Sequence, residues 1–181
     1  MLGAPKSQWS QPVPDIAIRD AVADDVPIIL ALVKALAEFE RAPDAVRATE
    51  ADLRREGFGP VPSFRCAIAE VDRRPAGFAL WFFSFSTWEG RRSLYLEDLF
   101  VQPWARGLGL GERLLRHVAR VAVREGCARL DLWVLHWNPA RGFYERLGLR
   151  HMADWLPYRI EGLALHRLAG EGAWPQGPDT A

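Results

Sequence analysis

The chain has 181 residues, 49% of them apolar, with 23 basic and 23 acidic side chains. That length and apolar share fit one globular domain with a sizeable core, and the balanced charge offers no net field for nucleic acid or a membrane surface. The longest apolar run, Phe78 to Phe83, falls far short of the roughly 20 residues of a membrane-spanning helix.

A polar, proline-containing leader (residues 1–14) and a Gly/Pro-rich tail (170–181) are expected to be mobile and to flank one folded domain over 15–169. Ile16 to Arg19 reads as a first strand. A helix capped at Asp24 follows, tolerating Pro27 in its first turn, with Val26, Ile29, Leu30, Val33, Leu36 and Ala37 at helical spacing. Thr49-Glu50-Ala51-Asp52 resembles a capping box and opens a second helix that stops near Gly57. Phe64 to Val71 and Ala76 to Ser86, rich in β-branched and aromatic residues, read as strands joined by the turn Asp72-Arg73-Arg74-Pro75. Leu94 to Val101 is the next strand.

Arg106-Gly107-Leu108-Gly109-Leu110-Gly111 then stands between that strand and a helix pattern running from Leu110 to Arg124. Glycines there let the backbone pass close to a ligand, and the free N–H groups of a helix's first turn favour a phosphate. The six residues alone fit a ligand-free strand-to-helix turn equally well. Beyond them, Arg129 to Leu135 reads as a strand, Pro139 to Leu147 as a short helix closed by Gly148, and His151 to Trp155 and Tyr158 to Leu168 as final strands. Cys66 and Cys127 lack metal-ligand spacing and the four histidines are scattered, so no metal is expected, and a reduced, cytoplasmic location is.

The order of elements describes a mixed α/β sheet with helices on both faces. With the glycine turn after the fourth strand, where Arg106, Gly109 and Gly111 fit the pattern (Gln/Arg)-x-x-Gly-x-(Gly/Ala), the chain resembles the GNAT N-acetyltransferase superfamily over about Ile16 to Ala169. Leu36-Ala37-Glu38-Phe39-Glu40, Glu56-Gly57-Phe58-Gly59, Leu94 to Val101, Trp137-Asn138 and Phe143-Tyr144-Glu145-Arg146-Leu147-Gly148 are similar to the spermidine/spermine (diamine) acetyltransferase branch. The resemblance implies a mostly antiparallel sheet of six to seven strands. It also implies acetyl-CoA as cosubstrate, a small-molecule primary amine as acceptor, and a homodimer.

Transfer of an acetyl group from a thioester to an amine sets the chemical requirements. An amine protonated at neutral pH must lose its proton to a carboxylate or to a water held by one. The resemblance puts Glu97 in that role, whereas read plainly Glu97 and Asp98 are a solvated strand end. Charge developing on the carbonyl oxygen wants a preorganised N–H donor, and the family uses the main chain at the strand end matched by Phe100 and Val101. The departing thiolate needs a proton, which a phenol can supply. Tyr144 matches the family's tyrosine for that step, and otherwise is a packed aromatic beside Phe143.

For the cosubstrate, Arg106 would add charge near the phosphates, Gly107, Leu108, Gly109 and Gly111 would bring the backbone close, and Leu110 and Glu112 would lend first-turn amides. Asn138 is a further cofactor contact in that branch, but its spacing to Tyr144 is one residue shorter here. Phe39, Glu40, Glu97 and Asp98 correspond to amine-contacting positions, with Glu89 and Asp154 as extras. The loop Ser84 to Gly90 lacks an aspartate that polyamine-acetylating relatives carry, so a polyamine is one candidate acceptor among several. Acetylation of a protein amino terminus or lysine, and a non-catalytic acyl-CoA sensor, are the alternatives.

Overall fold

A computed structural model describes residues 13–171; the expected leader and tail fall almost wholly outside them. The described chain divides into two compact units, one running through Trp133 and the other from Val134.

The first unit is built on a five-stranded sheet in the order β1-β2-β3-β4-β5. Strands β1 (Ile16–Asp20), β2 (Arg65–Val71), β3 (Arg74–Ser86) and β4 (Arg91–Val101) pair antiparallel in succession, and the short β5 (Leu130–Leu132) runs parallel to β4. The residues between β2 and β3 form a two-residue hairpin, with Asp72 and Arg73 both at positive φ (50° and 64°). That backbone is a type I′ turn, whose twist suits the flanking strands but which prefers glycine at its second position. Asp72 is tied down by its side chain, whose Oδ1 accepts the Asp15 N–H at 2.9 Å. Arg73→Gly is therefore expected to raise stability by about 0.5–1 kcal/mol, read as a higher urea midpoint at unchanged m-value.

Helices α1 (Val26–Phe39) and α2 (Glu50–Phe58) cover one face of the sheet and α3 (Leu110–Arg124) the other. On the first face Ile68, Phe78, Leu80 and Phe100 meet Val26, Ile29 and Leu32 of α1 and Leu53 of α2. On the second, the small fully buried Ala67, Ala69 and Ala79 leave room for an α3 stripe of Leu110, Leu114, Leu115, Val118, Val121 and Ala122.

Asp25, not Asp24, stands at the N-cap of α1, after a short 3-10 turn over Ala23–Asp25. Its buried carboxylate accepts the Val22 N–H at 2.8 Å and both terminal nitrogens of Arg19 at 2.6 and 2.8 Å, while Arg19 Nε donates to Glu70 at 3.0 Å. This bidentate pair anchors the start of α1 to β1 and β2, a task Asp24 could not share from its exposed position. Helix α2 opens with the expected Thr49–Asp52 capping box.

The second unit holds α4 (Arg141–Arg146) and α5 (Leu163–Leu168). Here the sequence reading needs correction: the strand expected over Arg129 to Leu135 is only three residues long, and no strand forms over His151 to Trp155 or Tyr158 to Leu168. Among the described residues the sheet thus has five strands, not six or seven. Leu163, Leu165 and Leu168 satisfy period-two and helical spacing about equally over so short a window. Gly162 at φ 58° and a run of good helix formers give the helix.

Candidate active site

The local structure of β4 sets the geometry. Its ladder with β3 slips between Leu80 and Trp81: Leu80 faces Asp98 and Trp81 faces Leu96, leaving Glu97 as an extra, unpaired residue in a β-bulge. On the other side of β4, pairing with β5 ends at Leu96. From Glu97 to Val101 the strand therefore has an open edge among the described residues.

Strand alternation tells which groups face that edge. Gln102 donates its N–H to Ala76 O at 2.8 Å, so the Asp98 and Phe100 amides point to β3, and those of Leu99 and Val101 point outward. The Val101 carbonyl does likewise, and Arg106 Nε donates to it at 3.2 Å. Phe100 itself is buried in the core. Leu99 is thus a main-chain donor that the sequence reading passed over; no glycine or proline marks the bulge that turns its amide outward.

The glycine turn follows. Gly107 and Gly109 take φ of 84° and 75°, and a Cβ added at either would meet no atom within 4 Å. Gly109 is the N-cap of α3, and the first helical bond runs from Arg113 N to Gly109 O at 3.1 Å. The amides of Leu110, Gly111 and Glu112 therefore lack intrahelical acceptors, beside open space that a phosphate can enter. Glu112 would oppose an anion there, but its carboxylate is engaged by Arg116 at 2.7 Å. Leu108 is half-buried in the same turn.

Of the residues expected to contact an amine, Phe39, Glu40 and Asp98 lie on the α1 face. Phe39, the last residue of α1, packs its ring against Phe100 with centroids 6.4 Å apart, and Arg106 lies over the same ring at 5.0 Å. Glu40 caps the helix, its N–H on Leu36 O at 2.8 Å. Asp98 shares the face of Leu80 and Phe100, near Glu40 and Glu97. Burial, then repulsion from Glu97 and Glu40, pushes the Asp98 carboxyl from its ordinary 3.8 up to about 7. Burial also raises Glu40. No group of three or more His, Cys, Asp or Glu among the described residues is placed to hold a metal ion.

The raised Asp98 carboxyl has a thermodynamic consequence. Between its ordinary value and about 7 the folded protein holds a proton that the unfolded chain has released. That stability is complete below the ordinary value and lost as pH rises through about 7. Asp98→Asn, uncharged throughout, is expected to be more stable than the parent by a margin that opens above about pH 4 and levels off above about pH 7, reaching about 4 kcal/mol. Urea melts across that range check it.

In the second unit, Tyr144 sits on α4 with its N–H on Ala140 O at 3.0 Å and its ring 5.2 Å from that of Phe143. Nearly buried Asn138 spends its Oδ1 on the Ala140 N–H at 2.9 Å, closing the turn into α4.

An open strand edge with outward amides is followed at once by a helix start whose first amides lack intrahelical acceptors, an arrangement with the donors to take a phosphorylated ligand. Residues 30–149 match the Acetyltransferase (GNAT) family, and the chain belongs to it. The protein is an acetyltransferase that uses acetyl-CoA as cosubstrate. It is 40% identical over 168 residues to a thialysine N-epsilon-acetyltransferase of Bos taurus, covering 86% of this chain and 98% of that one. It is 42% identical over 130 residues to the human spermidine/spermine N(1)-acetyltransferase-like protein 1, covering 68% of this chain and 19% of that longer protein. Among solved structures, an integron cassette protein from the mobile metagenome of V. cholerae matches with a TM-score of 0.72 at 28% identity, over 85% of this chain and 97% of the other.

Proposed function

We propose that the enzyme acetylates the terminal primary amine of a small aliphatic substrate, thialysine-like or a diamine, by direct attack within a ternary complex. The observation that carries this reading is the cluster of Glu40, Glu97 and Asp98 where α1 ends beside the β4 bulge. Repelling carboxylates in a half-buried setting are relieved by an arriving ammonium. A thialysine N-epsilon-acetyltransferase among the similar proteins supports the same acceptor class.

The amides of Leu110, Gly111 and Glu112, with Arg106, hold the pyrophosphate of the cosubstrate, which supplies an activated thioester. Gly107, Leu108 and Gly109 bring the backbone close to it. The outward N–H groups of Leu99 and Val101 orient the carbonyl and receive its developing charge. Phe39 and Glu40 with Asp98 seat the amine. Glu97, exposed on the bulge, takes the ammonium proton through a held water. Tyr144 returns a proton to the leaving thiolate, the role its sequence resemblance gives it. Asn138, spent on Ala140, serves the start of α4.

Thiol release from acetyl-CoA, measured with thialysine, ornithine, spermidine, tyramine and a lysine peptide, tests the reading. Thialysine or a short diamine is expected to exceed the peptide by at least about 10-fold in kcat/KM, in keeping with a pocket built to pair with the acceptor's polar groups. A preference for the peptide overturns the acceptor class. Binding of acetyl-CoA with no thiol released by any amine would leave a sensor.

We further infer a homodimer in the cytoplasm. Phe85 and Trp88, strongly exposed at the β3–β4 end, suit a subunit contact. Cys66 and Cys127 are free thiols, and no described helix is long and apolar enough to cross a membrane. Light scattering at twice the chain mass is the expected result.

A further inference from the structure

Arg106 is read above as a phosphate ligand, yet its side chain is already committed elsewhere. Its Nε donates to the Val101 carbonyl at 3.2 Å, and its guanidinium lies 5.0 Å from the centroid of the Phe39 ring. Phe39 in turn leans on Phe100, centroids 6.4 Å apart, and precedes Glu40. A cation over the face of an aromatic ring beside a carboxylate is also the arrangement that recognises an alkylammonium. One side chain of the cosubstrate turn thus already engages the ring that seats the amine.

We propose that Arg106 is a built-in competitor for the ammonium position: without coenzyme it covers the Phe39 ring, and the pyrophosphate draws it off, opening the ring to the amine. This rests on the acetyl-transfer reading above and adds a coupling between the two substrates. Two features support it. Arg106 is exposed, so its guanidinium can swing at the loss of only one hydrogen bond and one ring contact. The amides of Leu110, Gly111 and Glu112, close by in sequence, collect the anion that would attract it. Charge-assisted bonds to a diphosphate outweigh an exposed cation–π contact, so the exchange runs towards the phosphate once coenzyme binds.

The test is calorimetric titration of thialysine into the enzyme, first alone and then saturated with desulfo-CoA, which binds as coenzyme but transfers nothing. The parent should bind thialysine about 3-fold tighter, within a range of about 2- to 5-fold, when desulfo-CoA is present. Arg106→Gln keeps a donor for the Val101 carbonyl but removes the cation. It should bind thialysine in the coenzyme-free state about as tightly as the saturated parent does, with the enhancement gone. Phe39→Leu should lose the enhancement too, but with weak binding in both states. A purely structural role for Arg106 would alter melting temperature without altering that ratio.

Equal thialysine affinity with and without desulfo-CoA in the parent overturns the proposal while leaving acetyl transfer standing. So does an Arg106→Gln protein that binds thialysine no more tightly than the coenzyme-free parent. Failure of desulfo-CoA to bind, or of thialysine to bind in either state, overturns both this proposal and the substrate and site assignments on which it rests.

Discussion

Tyr144→Phe is expected to lower kcat by at least about 10²-fold while leaving the Kd for acetyl-CoA within about 2-fold. The change removes one oxygen from a side chain whose ring contact with Phe143 and whose place on α4 survive. Attack of the amine creates an intermediate that can expel either nitrogen or sulfur, and a proton delivered to the sulfur biases it forward. Without the phenol, solvent must supply that proton. Stopped-flow measurement of thiol release under saturating cosubstrate, beside equilibrium binding, separates the two quantities. An unchanged turnover would strip Tyr144 of the acid role and leave it a packing residue.

Gly109→Val has the largest expected effect on binding. Gly109 stands at φ 75°, where a β-branched residue is strained, so the fold should lose about 1–2 kcal/mol. The space beside it is open, with no atom within 4 Å of an added Cβ, so the strain of the backbone accounts for that loss. The coenzyme fares worse. Its pyrophosphate would be pushed from the first-turn amides of α3, and loss of two charge-assisted hydrogen bonds amounts to about 10²- to 10⁴-fold in affinity. A melt and an acetyl-CoA titration on the same preparation should show an affinity loss larger than the stability loss. Equal losses, or intact binding, would place the coenzyme elsewhere.

Helix α3 was legible in the sequence to its terminal residues, because its apolar stripe repeats at helical spacing over four turns and glycines bound it. The capping box of α2 was equally readable, and so was the β2–β3 hairpin, except that Arg74 and Pro75, read as turn, pair with Val71 and Glu70 at the start of β3. Features that depend on distant partners were not. Asp24 and Asp25 look alike as caps, and only Arg19 and Glu70 decide between them. The strand expected over Tyr158 to Leu168 failed because α5 and a strand share the same leucines in so short a window. In the candidate site, neither the outward amide of Leu99, nor the contact of Arg106 with Phe39, nor the crowding of carboxylates that raises Asp98 could be read from the sequence.

The bulge at Glu97 separates what the architecture requires from what the reaction requires. Leu94 and Leu96 face α3, and strict alternation would carry Asp98 and Phe100 there too, driving a carboxylate under an apolar helix. One additional residue reverses the phase, so a single strand feeds hydrocarbon to both layers while Asp98 stays on the α1 side. The architecture counts a residue at position 97 without regard to its identity. The proposed proton relay alone asks that it be glutamate, so removing the residue is expected to injure the strand, and neutralising it to slow turnover while the fold stands.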